Sequence, residues 1–509
     1  MIILGIGITV LAVLIVGIAV ARKIDGDSAN YLVAGRRLGV PLVAVSLTAA
    51  AVDSNATVGN TDLTSQFGFW AGASLAIGLA ICLLLAGLFL AKPMNRMKLF
   101  TLGDFFRIRY SRPMEVIASI LMIISFTTLL AGNLVACGFL LERFANIPYE
   151  WGVILSVALV LSYTIAGGLF SDAYTAAIQT TITVVAAIAL LIWVAISFGI
   201  VIPEGMGPFD FGQLTDPAQG APINWATLVA LGIGDLVAID FMQRIFGAKS
   251  PEVARRACYI GAAGTALIGT IFALVALSAT AVLGITVEDG PVLFTLLDEY
   301  APPLLAILVL SGIVAASFST ASGAILATSA VAVRNIFNVR RVHAGAANAE
   351  VRDPLLRWTR LAMFPIVVAG VLLAIRVSNT GILLTLAFDL MLACLAAPFL
   401  LGIFWRRPGV AAALVGATVG FAVRMVFLVL TPTLYGVPNT LLYVENDLIG
   451  ADFDGWATLV AAAAGFGSYA LTAALRRRSP AEELEELEQI ERLAREQGSE
   501  PEELVGVPA

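Results

Sequence analysis

Six carboxylates and one guanidinium stand inside otherwise apolar stretches of this chain: Asp53, Asp62, Asp172, Asp235, Asp240, Asp389 and Arg424. A charge at mid-bilayer depth costs roughly 2.5–3.5 kcal/mol on insertion scales, so such residues are kept where an ion, a proton or a polar solute needs them. Two stretches concentrate them. VAVSLTAAAVDSNATVGNTDL begins as an ordinary apolar helix and then places Asp53, Ser54, Asn55, Thr57, Gly59, Asn60 and Asp62 within ten residues. LVALGIGDLVAIDFMQR sets Gly232 and Gly234 before Asp235, followed by Asp240 and Gln243. Glycine and polar groups in mid-span predict a broken helix, whose irregular backbone is tolerated only where it lines a cavity. A third stretch, GIVAASFSTASGAILATSAVAVRNIF, carries Ser317, Ser319, Thr320, Ser322, Thr328 and Ser329. Hydroxyls facing the free carbonyls of a broken helix suit a hard cation that takes about five or six neutral oxygens.

Each group also has a plainer reading. Serine and threonine in a membrane helix commonly bond back to the i−4 carbonyl or join neighbouring helices. Asp62 is placed to reach the outer water boundary, and Asp389 and Arg424 have each other as partners, as alternatives to a solute role. Asp53 lies deeper in its run and has no such boundary.

The elements that must hold these groups follow from composition. Of 509 residues, 59% are hydrophobic and 13% charged, about half the charged share of soluble proteins. Thirteen apolar runs long enough to cross a bilayer are predicted, at 2–21, 40–62, 68–91, 114–141, 151–170, 173–202, 223–243, 257–284, 302–333, 358–375, 380–405, 408–431 and 456–475. The first ends in Arg22-Lys23 without an A-x-A cleavage site and is expected to be a retained helix. Of the 30 lysines and arginines, 27 fall in the loops after odd-numbered segments or in the tail, which predicts an outside N-terminus and a cytoplasmic C-terminus in the plasma membrane. Residues 1–478 are therefore expected to form the membrane domain, and 479–509 an acidic cytoplasmic tail, either a solvated helix or a partner-docking one. The net charge of −6 gives no basic excess for nucleic acid. Four cysteines (Cys82, Cys137, Cys258, Cys394) without metal-type spacing and a single histidine, His343, leave no disulfide framework and no multi-His centre.

At these residues the chain resembles the sodium/solute symporter family over about residues 5–475. The matching stretches are YLVAGRRLG at 31–39, TIAGGLFSDAYTAAIQ at 164–179, QRIFGAKSPEVARRA at 243–257 and AASFSTASGAILATSAVAVRNIF at 315–337, with AKPMNRMKLFTLGDFF at 91–106 most similar to the choline-transporter branch. The resemblance implies an all-α integral membrane protein with about 13 helices: a leucine-transporter-type five-plus-five inverted repeat over about 40–405, one extra N-terminal helix and two C-terminal helices. It implies a sodium ion held by the carbonyls of Ala51, Ser54 and Ala316 and the hydroxyls of Ser319 and Thr320, with Asp53 needed for sodium coupling. It also implies a second sodium site in some members, built from an aspartate on the sixth segment and two serines on the ninth. Here that aspartate's position is Ala176, the nearby acid is Asp172 one turn away, and the serine pair is Ser322 and Gly323, so one sodium per solute is expected. Where choline carriers have cage tryptophans, this chain has Ala51 and Ala238, and a quaternary ammonium needs aromatic faces.

The expected function is sodium-coupled import of a small polar organic solute, zwitterionic or cationic. Asn55, Asn133, Asp235, Ala238 and Asp240 are its candidate contacts, and Asp172, Ser322 and Asp389 are further groups along the path. The alternatives are a transporter-like sensor or regulator, or symport of a carboxylate or sugar, with sodium or proton coupling. An enzyme is not expected, because no nucleophile, histidine base or metal cluster is present.

Overall fold

The computed structural model describes residues 2–341, 353–377, 380–405, 407–476 and 478–497; the expected basic loop with His343 lies outside them. Ten of the described helices are long and apolar enough to cross a bilayer, and two further pairs, Val40–Ala51 with Asn55–Phe67 and Ala221–Val237 with Ile239–Gly247, pass the same test together. These pairs are bent by 56° and 48°. They are the second and seventh predicted segments, so both helices read as broken from their glycines and acids are broken. Counting each pair as one span gives twelve; the sequence count of thirteen divides Tyr149–Ser197 into 151–170 and 173–202.

That 49-residue helix contains one non-helical residue, Gly168, at φ 51° and ψ −139°. A Cβ there would run into the carbonyl oxygen of Tyr31, and this backbone region is open to glycine and almost nothing else. Gly168→Ala is expected to cost at least about 1–3 kcal/mol, read as a lower thermal midpoint or loss of monodisperse protein. Gly7→Ala, whose Cβ meets no atom within 4 Å, is the matched control and leaves the midpoint in place.

The ninth segment, Pro303–Val331, is the axle of the packing. It lies against Ile2–Val20, Arg112–Ala145, Tyr149–Ser197 and Val40–Ala51, and it is buried from Val309 to Val331 without interruption. Lipid-exposed side chains are apolar, among them Leu4, Ile8, Ile192, Phe364 and Leu372, as expected where the solvent is hydrocarbon.

The cation-bearing loops come together at one end. Asp104, fixed by a capping box with Thr101 at the start of Leu102–Tyr110, accepts from Arg334 Nε at 2.7 Å and from Arg340 Nη1 at 3.2 Å. Glu115 pairs with Arg107 at 3.2 Å and Arg112 at 2.7 Å, and Asn335 Nδ2 donates to both Asp104 and Glu115. Asp104, Glu115 and Arg334 are fully buried, so the cluster clamps two loops into one plate and is not a solvated charged face. Pro480–Gln497 rests one face on the chain's own Leu102–Tyr110 and leaves Leu484 and Leu487 exposed on the other. Gln489 accepts from Arg107 Nε at 2.9 Å, Glu482 accepts from the Val410 amide at 3.1 Å, Arg478 pairs with Glu486, and Ile490 is buried. Charge complementarity between an acidic helix and an arginine-rich plate supplies the reason.

At the other end Arg143 pairs with Asp298 and Glu299, and a cavity of about 740 Å³ opens between Leu63, Phe67, Thr227, Thr385, Glu204 and Asp454. Asp62 sits near this end and caps Val292–Glu299 by accepting from the Val292 amide at 2.8 Å, a stabilising place for a carboxylate.

Candidate functional site

The break in the second segment falls at Val52 and Asp53. Val52 leaves the helix at φ −99° and ψ 73°, and the chain resumes through a π-helical turn, Asn55–Gly59, a form that gathers at functional sites. Asp53 is 1% exposed and fully satisfied: Oδ2 accepts from Asn55 Nδ2 and Asn133 Nδ2, both at 2.7 Å, and Oδ1 accepts from the Ala56 amide at 3.0 Å. Ser54 donates to Asn133 Oδ1 at 3.1 Å. The acid therefore organises the break from inside. Asn55 and Asn133, expected as solute contacts, both donate to Asp53, and Asn55 Oδ1 is left without a partner.

Opposite the break runs the hydroxyl cluster. Thr320 Oγ1 reaches the carbonyl oxygens of Ala50 at 3.1 Å and Ala49 at 3.4 Å. The expected cradle named the carbonyls of Ala51 and Ser54, so the threonine contacts lie one and two residues earlier on the same helix end. Ser319 is fully buried and its Oγ has no partner. Its neighbours follow the plain reading, since Ser317 and Ser329 bond back to i−4 carbonyls. Ala316 borders a narrow crevice with Thr48, Ala49, Val52, Gln179 and Thr183 that has no room for a water molecule. A buried hydroxyl without a partner and a second hydroxyl already among carbonyls fit a small hard cation.

The break in the seventh segment is at Ala238, with φ −63° and ψ 119°, between Gly234–Val237 and Ile239–Gly247. Gly234 permits it: a Cβ there would meet the Phe388 carbonyl. Three acids cluster around this region, in different circumstances. Asp240, expected to face the solute, is committed to the Phe241 amide at 2.7 Å and to Arg244 at 3.1 Å. Asp172, expected along the path, forms an ion pair with Arg244 Nη2 at 2.9 Å and accepts from Ser322 Oγ at 2.7 Å and Ser46 Oγ at 3.4 Å. Arg244 also donates to Ser46 from Nε at 2.7 Å. This buried guanidinium thus joins the second, sixth and seventh segments directly, and the ninth through Asp172. Sequence reading placed Arg244 among the loop cations; the signal that finds it is its i+4 spacing from Asp240 on one helix face. Asp235 is the third acid, 1% exposed, and neither of its oxygens has a hydrogen-bond donor of nitrogen or oxygen.

Asp389 and Arg424 pair with each other, leaving Asp389 Oδ1 and Arg424 Nη1 without partners. Tryptophans 151, 225, 358 and 456 are exposed, an interfacial belt and not a cage. Ala51 and Ala238 are both fully buried.

Two broken, acid-bearing helices five segments apart, with a hydroxyl helix lying against the first, define a secondary transporter of the inverted-repeat kind. The model of the Sodium:solute symporter family matches residues 31–420, and the chain belongs to that family. It is 26% identical over 447 residues to the osmoregulated proline transporter OpuE of Bacillus subtilis, covering 84% of this chain and 88% of that one. It is 23% identical over 446 residues to the high-affinity choline transporter 1 of Torpedo marmorata, covering 82% and 74%. Among solved structures it resembles a Na+-coupled sialic acid symporter in a substrate-bound, outward-open state, at a TM-score of 0.71 and 18% identity, covering 94% of this chain and 98% of that one. The fold is accordingly the expected leucine-transporter type, and sodium is the coupling ion of the family.

Proposed function

We propose that this chain imports a small polar organic solute, zwitterionic or cationic, together with one sodium ion, by alternating exposure of a site between its second, seventh and ninth segments. The observation that carries the reading is the pairing of a broken helix end with Thr320 and the unpartnered Ser319 hydroxyl. The sodium is held by the carbonyls of Ala51, Ser54 and Ala316 and the hydroxyls of Ser319 and Thr320, with Asp53 fixing the shape of the break through Asn55, Asn133 and Ala56. Binding of the ion draws the second and ninth segments together, and the solute meets the site that this contact completes. One sodium moving through 100 mV contributes about 2.3 kcal/mol, before its concentration gradient is counted. The gathering of Arg107, Arg112, Arg334 and Arg340 at one end supports a cytoplasmic location for that end and for the tail, with the N-terminus outside, in the plasma membrane. Residues 1–478 form the transport domain.

One sodium per solute is supported by Gly323 and Arg244. A Cβ at Gly323 would stand 2.9 Å from Arg244 Nη2, so the guanidinium occupies the room a second serine would need, and Asp172 is already neutralised by it. Sodium activation of uptake is expected to have a Hill coefficient near one; a value near two contradicts the stoichiometry. The reading as a whole is tested by thermal-shift screening of the purified protein against amines, amino acids, sugars and carboxylates, in sodium and in potassium chloride. A solute that stabilises the protein only in sodium is the expected result, and one that stabilises it equally in potassium opposes the proposal.

A further inference from the structure

Among the described buried acids, Asp235 alone has no N–H or O–H donor on either oxygen, the weakly donating thiol of Cys82 being its hydrogen-bonding neighbour. Every other intramembrane carboxylate has found a donor: Asp53 the two asparagines, Asp172 and Asp240 the guanidinium of Arg244, Asp389 that of Arg424, and Asp62 a helix N-terminus. A carboxyl group taken out of water with no donor stronger than a thiol is among the most costly features a fold can carry, and one such group at a functional break points to a ligand that supplies the stronger partner.

Its surroundings restrict what that ligand is. Asp235 lies in the single turn Gly234–Val237 between the two halves of the seventh segment, where backbone is free of regular helix. Its polar neighbour is the Cys82 thiol of Phe69–Leu85, and the turn packs on Phe388 and Leu392. A sodium ion wants five or six oxygens, more than the carboxylate and the Phe388 carbonyl beside the turn supply. A protonated amine needs one strong acceptor and satisfies it with a charge-assisted hydrogen bond. A quaternary ammonium has no N–H to donate and depends on aromatic faces, while Ala51 and Ala238 bring no ring to the two breaks. A carboxylate would meet like charge, and the nearby Arg244 is already held by Asp172 and Asp240.

We infer that Asp235 is the counter-ion for an N–H-bearing protonated amine of the transported solute, and that this amine group is the feature the site selects. The inference rests on the symporter reading above and narrows its solute class.

The test is thermal shift of the purified full chain in sodium chloride against matched triplets: ethanolamine, choline and ethylene glycol; glycine, its trimethyl derivative and glycolate; and 1,4-diaminobutane, its bis-trimethylammonium form with both nitrogens quaternary, and 1,4-butanediol. Further small amines extend the panel in the same way. At least one amine is expected to stabilise the protein, with its trimethyl and hydroxyl counterparts inactive, and Asp235→Asn is expected to weaken that amine by about 30-fold or more, as loss of one partner of a buried charge pair does. The variant keeps the shift produced by sodium alone, which separates loss of the amine contact from loss of the fold. Four results overturn the assignment: stabilisation by a trimethyl or hydroxyl member, an amine that binds Asp235→Asn as well as the parent, loss of the sodium-only shift in that variant while it stays monodisperse, or no response to any amine by a protein that sodium itself stabilises. Absence of any sodium-only shift in the parent chain instead counts against the symporter reading.

Discussion

Ser319→Ala combined with Thr320→Ala is expected to raise the sodium concentration for half-saturation by roughly 100-fold, taking about 1.5 kcal/mol for each polar contact to a charge. Both side chains are fully buried, and neither substitution leaves a charge behind. Ser319 Oγ has no intramolecular partner to lose, so its removal weakens the ion and not the fold. Thr320 loses its bonds to Ala50 and Ala49, and Thr320→Ser, which keeps that hydroxyl, is expected to restore most of the affinity. The readout is sodium-dependent thermal stabilisation of purified protein. A double variant that responds to sodium like the parent removes these residues from the ion site.

Arg244→Ala carries the largest expected effect on stability. It leaves Asp172 and Asp240 buried without their cation, and breaking a buried ion pair from one side costs about 3–5 kcal/mol. Much of a typical domain's total stability is of that size, so the variant is expected to yield little monodisperse protein or a sharply lower thermal midpoint. Neutralising the partners as well, in Arg244→Met with Asp172→Asn and Asp240→Asn, is expected to recover a substantial part of the loss, because the cost lies in uncompensated charge and not in lost volume. A single Arg244→Ala chain as stable as the parent shows that the guanidinium is not what holds the second, sixth and seventh segments together.

The spans and both broken helices were legible because their signals are local: hydropathy over about 20 residues, and glycine with acid where lipid would reject them. Thr320 and Ser319 were legible from their pattern, although the contact of Thr320 with Ala49 and Ala50, not Ala51, depends on how two helices slide past each other, which sequence spacing does not encode. The partners of the charges were least legible. Arg244 read as a loop cation because it stands beside Gly247, Lys249 and a run of later arginines, yet its side chain turns inward to carboxylates 4 and 72 positions away. Asn55 and Asn133 read as open polar groups because their common partner, Asp53, lies 80 residues from Asn133. The contact of the tail helix with Leu102–Tyr110 was not legible from composition, because Arg107, which it meets through Gln489, is placed there only by folding.

The central claim is that a single sodium ion sits between the broken second segment and Ser319 and Thr320. Equilibrium binding of radioactive sodium to the purified chain tests it most directly. The account predicts saturable binding of one ion per chain, abolished in the Ser319→Ala, Thr320→Ala double variant at the same concentration. Two ions per chain, or binding that survives in the double variant, contradicts it.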